Sequence, residues 1–234
     1  SGVDFNIRLG DGDYSLIMIS KNNTGKTVLN ELISLASTQD NILTVKDLLD
    51  NATENVIITT SGINSVLLSK YADEVIKSLD DVYEVYIELQ PHNTKMISEV
   101  NDLGLEWIDK GFQPILGLDT HYVSEEDATY RDIFLKSAKE FYFEEEDSVL
   151  DFPTYDVILQ KFYDQGIVSN EIAELAIENT LIADEWEGIS FDKEIKMITL
   201  YEGETHEQKV KRLHNLFNKA WVEDRKHIDK SKWN

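Results

Sequence analysis

The chain has no cysteine, which excludes disulfides, Cys-ligated zinc and a thiol nucleophile, and fits a cytoplasmic location. It also lacks any apolar run as long as a membrane span, and its opening residues read as neither signal peptide nor transit peptide. No Gly-x-Ser-x-Gly elbow occurs, so covalent hydrolase chemistry has no candidate. Positive charge is scarce: 22 Lys and Arg face 45 Asp and Glu, a formal net charge of −23. Such a surface repels phosphate backbones, so weak or no nucleic-acid binding is expected. What remains is a globular composition, 41% hydrophobic in 234 residues, without an internal repeat or a low-complexity linker.

Apolar periodicity sets the expected order of elements. Residues 3–9 alternate and Asp11-Gly12 opens a turn into Tyr14 to Ile19, which predicts a hairpin. Helical spacing follows through Val28, Leu29, Leu32, Ile33 and Leu35, with a short helix from Val45 to Leu49. From Asn55 the chain alternates. Strands are predicted at Asn55–Thr60, Val82–Leu89 and Pro114–Leu118, and helices through Val66–Leu79, Asn93–Lys110 and Ala128–Lys139. This is the pattern of an α/β fold with a largely parallel sheet, open or closed into a barrel. After about residue 145 only helices are predicted, at Tyr155–Gln165, Glu171–Glu185 and Thr205–Arg225, with an extended connection at Lys193–Tyr201. The change near Glu144-Glu145-Glu146-Asp147 suggests a boundary between residues 1–147 and 148–234.

Two stretches carry chemistry. Ser20-Lys21-Asn22-Asn23-Thr24-Gly25-Lys26-Thr27 ends in the Gly-Lys-Thr of a phosphate-binding loop, but Ser20 stands where that motif needs its first glycine. In the alternative reading of a P-loop nucleotide-binding protein, Lys26 and Thr27 would meet phosphate and magnesium. Phe112 to Tyr122 is an apolar strand whose end turns abruptly polar at Asp119-Thr120-His121. Sites in α/β folds are built at that end of a strand, and Asp119 and His121 can share a divalent metal ion.

Several stretches together resemble a known family. Gly2-Val3-Asp4-Phe5, Leu16 to Gly25, Tyr86-Ile87-Glu88-Leu89-Gln90 and Leu118-Asp119-Thr120-His121-Tyr122 follow one another as their counterparts do in the PHP domain of the bacterial DNA polymerase III α-subunit family. Glu178-Asn179-Thr180-Leu181-Ile182-Ala183 is similar to the helix that leads towards the polymerase core in that family. The resemblance implies a partial PHP, TIM-like β/α barrel over residues 1–147 and the helical start of the polymerase core over 148–234. It also implies a piece of a longer polymerase, since the family's His-x-His strand has no counterpart here and its catalytic palm aspartates lie beyond this chain.

Carried over residue by residue, the family's metal site matches at Asp119 and His121. Asp4 stands where the family has Glu. Ser15 stands for a ligand His, and Ile63 for a Cys or His, so the site is expected to be degenerate. His92 matches a position with no ligand role, and His206, His214 and His227 read as surface histidines. The expectation is that this piece has no catalytic residue and no cofactor of its own. Magnesium would serve the parent polymerase, and zinc or manganese would bind only to an intact PHP site. Partners would be DNA and other replication proteins through the parent, with no membrane. The other reading of the same residues is a metal-dependent phosphoesterase or 3′-5′ exonuclease.

Overall fold

A computed structural model describes residues 1–138, 150–191 and 203–224. The hairpin forms as expected, with β1 (Gly2–Leu9) antiparallel to β2 (Gly12–Ser20) across the two-residue link Gly10-Asp11. Helix α1 (Asn23–Ser37) begins where the Asn22 side chain accepts a hydrogen bond from Gly25 N–H. A left-handed pair, Asp40 and Asn41, then turns the chain into β3 (Ile42–Thr44), which pairs parallel to β1. Three residues carry no readable alternation, so this strand is absent from the sequence expectation. Thr44 and Asp47 cap each other's backbone to start α2 (Val45–Asp50).

The β/α alternation follows. Strand β4 (Val56–Thr59) is succeeded by a 3₁₀ turn at Val66–Leu68 and α3 (Ala72–Asp80), where one helix had been expected. Then come β5 (Glu84–Leu89), α4 (Lys95–Asp109), β6 (Gln113–Leu116) and α5 (Ala128–Ala138). The sheet has six strands in the order β3-β1-β2-β4-β5-β6. Strands β4, β5 and β6 are parallel, as the alternation requires, but β2 runs against both of its neighbours: against β1 because a two-residue link can only reverse the chain, and against β4, which it meets after α1, β3 and α2. The sheet is therefore mixed.

Alternation along the strands gives the sheet two unlike faces. Phe5, Ile7, Leu16, Met18, Ile58, Val85, Ile87 and Leu89 lie buried in one cluster with Leu29 and Leu32 of α1, Val75 and Ile76 of α3 and Val100 and Trp107 of α4. The opposite face carries a small apolar cluster of Ile57, Tyr86 and Ile115 with Ile19 packed against it, and beside them stand Asp4, Ile17, Thr59 and Glu88. The large core continues past residue 147. Ile158 and Phe162 of α6 (Tyr155–Gln165) and Ala173 and Ala176 of α7 (Asn170–Glu178) belong to it. The first compact unit accordingly spans Ser1–Ser190. After α7 the chain crosses to the polar face, where a 3₁₀ segment, Asn179–Glu185, brings Ile182 and Trp186 onto Ile57 and Tyr86.

The second unit is Phe191–Asn234. Its described element is α8 (His206–Asp224), opened by reciprocal hydrogen bonds between Thr205 and Gln208. The connection expected at Lys193–Tyr201 and the side chain of His227 lie outside the described residues. Among the described residues no helix is long and apolar enough to cross a membrane.

Gly25 lets α1 approach the backbone just before β4 closely. A Cβ there would stand 2.2 Å from the carbonyl oxygen of Asn55, a backbone atom with no rotamer to yield. Alanine improves helix propensity by about 0.8–1.0 kcal/mol, whereas forced displacement in a packed region costs about 1–3 kcal/mol. Gly25→Ala is thus expected to lower the thermal midpoint. Gly188→Ala, whose Cβ would meet nothing within 4 Å, should leave it nearly unchanged.

Candidate functional site

The polar face ends in a cavity of about 260 Å³ at the C-terminal ends of the parallel strands. It is lined by Asp4 from β1, Ile17 from β2, Ser61-Gly62-Ile63 after β4, Glu88, Gln90 and His92 from β5 and beyond, Thr94, Met96 and Ile97 at the start of α4, and Leu118-Asp119 after β6. Ser61 is held left-handed, at φ 61°, so the chain turns sharply where β4 stops.

Glu88 is the best-buried acid of the wall, 5% exposed. Its Oε2 accepts from Thr59 Oγ (2.6 Å) and its Oε1 from Gln90 Nε2 (2.7 Å). Space for this carboxylate depends on Gly117, whose Cβ would lie 2.1 Å from Oε1. Burial pushes the Glu88 carboxyl above the usual carboxylate range; its two donors work against that, and the charge of Asp4 adds to it. Burial raises Asp4 as well. His92, 3% exposed, is pushed down by burial, with Asp119 partly offsetting the effect.

The positions named from the sequence separate here. Asp4 and Asp119 reach the cavity. His121 Nε2 lies 3.3 Å from Asp119 Oδ1, but the imidazole lines a neighbouring groove with Tyr122, Val123, Tyr130 and Phe134. Ser15 is buried, and its hydroxyl donates to the Ile63 carbonyl oxygen (3.0 Å) and lies 3.3 Å from Ser61 Oγ, so it secures the turn after β4. Ile63 lines the cavity with a side chain that has no donor atom. Among the described residues no three His, Asp or Glu side chains are placed to hold one ion. This set does not fit a polynuclear zinc or manganese centre.

The sequence reading names Glu88 only within a resembling stretch and gives His92 no ligand role, so neither is a site candidate there. Within Tyr86-Ile87-Glu88-Leu89-Gln90 the acid reads as the outward position of an alternating strand. The available signal was a second polar residue, Gln90, on the same face, with glycines at 62 and 117 in strand-end loops.

The Gly-Lys-Thr stretch forms no phosphate cradle. Lys21 and Asn22 are the only residues between β2 and α1, so Gly25, Lys26 and Thr27 already lie in the first turns of the helix. Lys26 Nζ donates to Ser190 O (2.6 Å) and Thr27 Oγ to Asn23 O (3.1 Å).

No family model and no curated protein matches the chain.

A carboxyl raised by folding binds its proton more tightly in the native state, so its contribution is complete below about pH 4.5 and is lost as pH rises through the native value. His92 acts in the other direction: lowered by folding, it costs stability as pH falls below about 6.5. Glu88→Gln keeps the volume and removes the titration. It is expected to reduce the gain in urea midpoint between pH 7 and pH 5, and an unchanged gain would mean that Glu88 is solvated.

Proposed function

We propose that this chain is the region of a DNA polymerase III α-like protein in which a PHP-type domain, residues 1–147, leads into the helical start of the polymerase core, 148–234. In this reading the mixed sheet is an arc of a TIM-like β/α barrel. The observation that carries it is convergence. Asp4, the Ser61-Gly62-Ile63 turn, the Glu88-Leu89-Gln90 strand end and Leu118-Asp119 come from four distant stretches, and all meet at one cavity. The resemblance matches Asp4, Ile63 and Asp119 to metal-site positions of the family, and the meeting of their stretches at one cavity supports this reading.

The same cavity supports a scaffold role rather than hydrolysis. Phosphoester cleavage at such a site needs metal ions to activate water and to bind the phosphoryl oxygens. Here Ser15 spends its hydroxyl on the turn after β4, Ile63 offers no donor, and His121 faces the neighbouring groove. Asp4, Glu88 and Asp119 repel phosphate unless cations screen them. The reaction of the parent would be template-directed nucleotidyl transfer in the cytoplasm, with magnesium and the palm aspartates supplied beyond this chain. DNA and other replication proteins would be met through those other parts.

Two measurements test this. After dialysis against chelator and re-addition of zinc or manganese, the chain is expected to retain less than one equivalent of metal and to cleave neither bis-p-nitrophenyl phosphate nor a DNA 3′ end. One equivalent that is lost in Asp119→Ala and in His121→Ala, together with cleavage, would establish the phosphoesterase reading instead. The gene product that carries this chain should extend a primed template with magnesium, and failure to do so would overturn the polymerase assignment.

A further inference from the structure

The cavity wall at Gln90 to His92 is held from behind by side-chain amides of two helices. Gln90 N–H donates to Asn101 Oδ1 of α4 (3.2 Å), and Asn101 Nδ2 donates back to Gln90 O (2.8 Å). The same Nδ2 donates to Gln165 Oε1 (2.9 Å), while Gln165 Nε2 donates to Gln90 O (3.1 Å) and to His92 O (2.6 Å). Asn101 is 1% exposed, so water cannot easily replace a lost partner.

Gln165 is the last residue of α6, whose C-terminus is closed by left-handed Gly166. One turn earlier Phe162 is fully buried in the large core. The position of the Gln165 amide is thus set by how α6 seats on the domain. On the front of the wall, Gln90 Nε2 holds Glu88 Oε1, and both side chains line the cavity with His92.

We infer that Gln165 and Asn101 are positioning residues that couple the seating of α6 to the geometry of the cavity wall. The chain of contacts is continuous, from Phe162 through Gln165 and Asn101 to Gln90 and Glu88. A displacement of α6 removes the Gln165 donor from the His92 carbonyl, one of two donors from the Gln90 carbonyl and the acceptor that Asn101 Nδ2 holds, and anything that moves the wall loosens the C-terminal end of α6. This coupling depends on no particular chemistry at the cavity, so it stands apart from the polymerase reading.

Amide hydrogen exchange by NMR tests it on the whole chain. In Gln165→Met the Gln90 amide is expected to exchange about tenfold faster relative to the amides of the β1–β2 ladder, the factor for roughly one hydrogen bond of local stability. The His92 ring resonances should shift. Phe162→Leu, which loosens α6 with the amides intact, should raise the same ratio. Leu32→Val on α1, a general destabilisation, should leave it unchanged. The inference is overturned if Gln165→Met leaves both the ratio and the His92 resonances at wild-type values. It is equally overturned if Phe162→Leu has no effect on the ratio, or if Leu32→Val raises it as much.

Discussion

Because side chains alternate along a strand, a slip of one residue in the pairing of β5 would carry Glu88 into the large apolar core and push Ile87 out onto the polar face. The cost of an unpaired buried carboxylate and the loss of a fully buried isoleucine act against the same slip. Register is therefore set from both faces at once. Everything at the cavity inherits that constraint: Thr59 can reach Glu88 only from the row that places Ile58 beneath the helices. Gly117 leaves room for the acid only where β6 is aligned to put Ile115 opposite it.

The parts of this arrangement that were readable in the sequence are those with a long repeat. The alternation from Asn55 to Ala138 returned three parallel strands and their helices because each segment had enough residues to show a period. Asp119 was found at the cavity because a strand end and the resemblance both pointed to it, and Asp4 because the resemblance did. Strand β3 had too few residues to show a pattern, and a helix capped by Thr44 followed at once. The reversed direction of β2 was implicit in the two-residue link of the hairpin, but its place between β1 and β4 is a tertiary fact. Glu88 escaped notice because an acid in an alternating strand ordinarily faces water. Its space depends on Gly117, and that of its partner Gln90 on Gly62, distant residues whose missing side chains no local window relates to it. Gln165 reads as one more polar residue near a helix end, and its partners are as far away as Gln90 in the chain.

The continuation of the core through α6 and α7 bears on how the chain is divided. The strand–helix alternation stops near residue 147, yet Phe162 and Ala173 belong to the apolar core over the sheet. A cut at that change of pattern would expose part of the core. The compact unit, Ser1–Ser190, is the smaller piece that keeps it covered.

A last consequence concerns self-association. A mixed sheet offers two borders at which another strand could add, and unguarded borders template aggregates. Here β6 is contacted by α7 and the 3₁₀ segment that follows it, and the Asn179 amide occupies the Pro114 carbonyl oxygen (2.7 Å). At the opposite border β3 stops after three residues, because Thr44 is already committed to capping α2. Among the described residues, the ladder that β3 offers is three residues long, so a foreign strand finds little register to copy there.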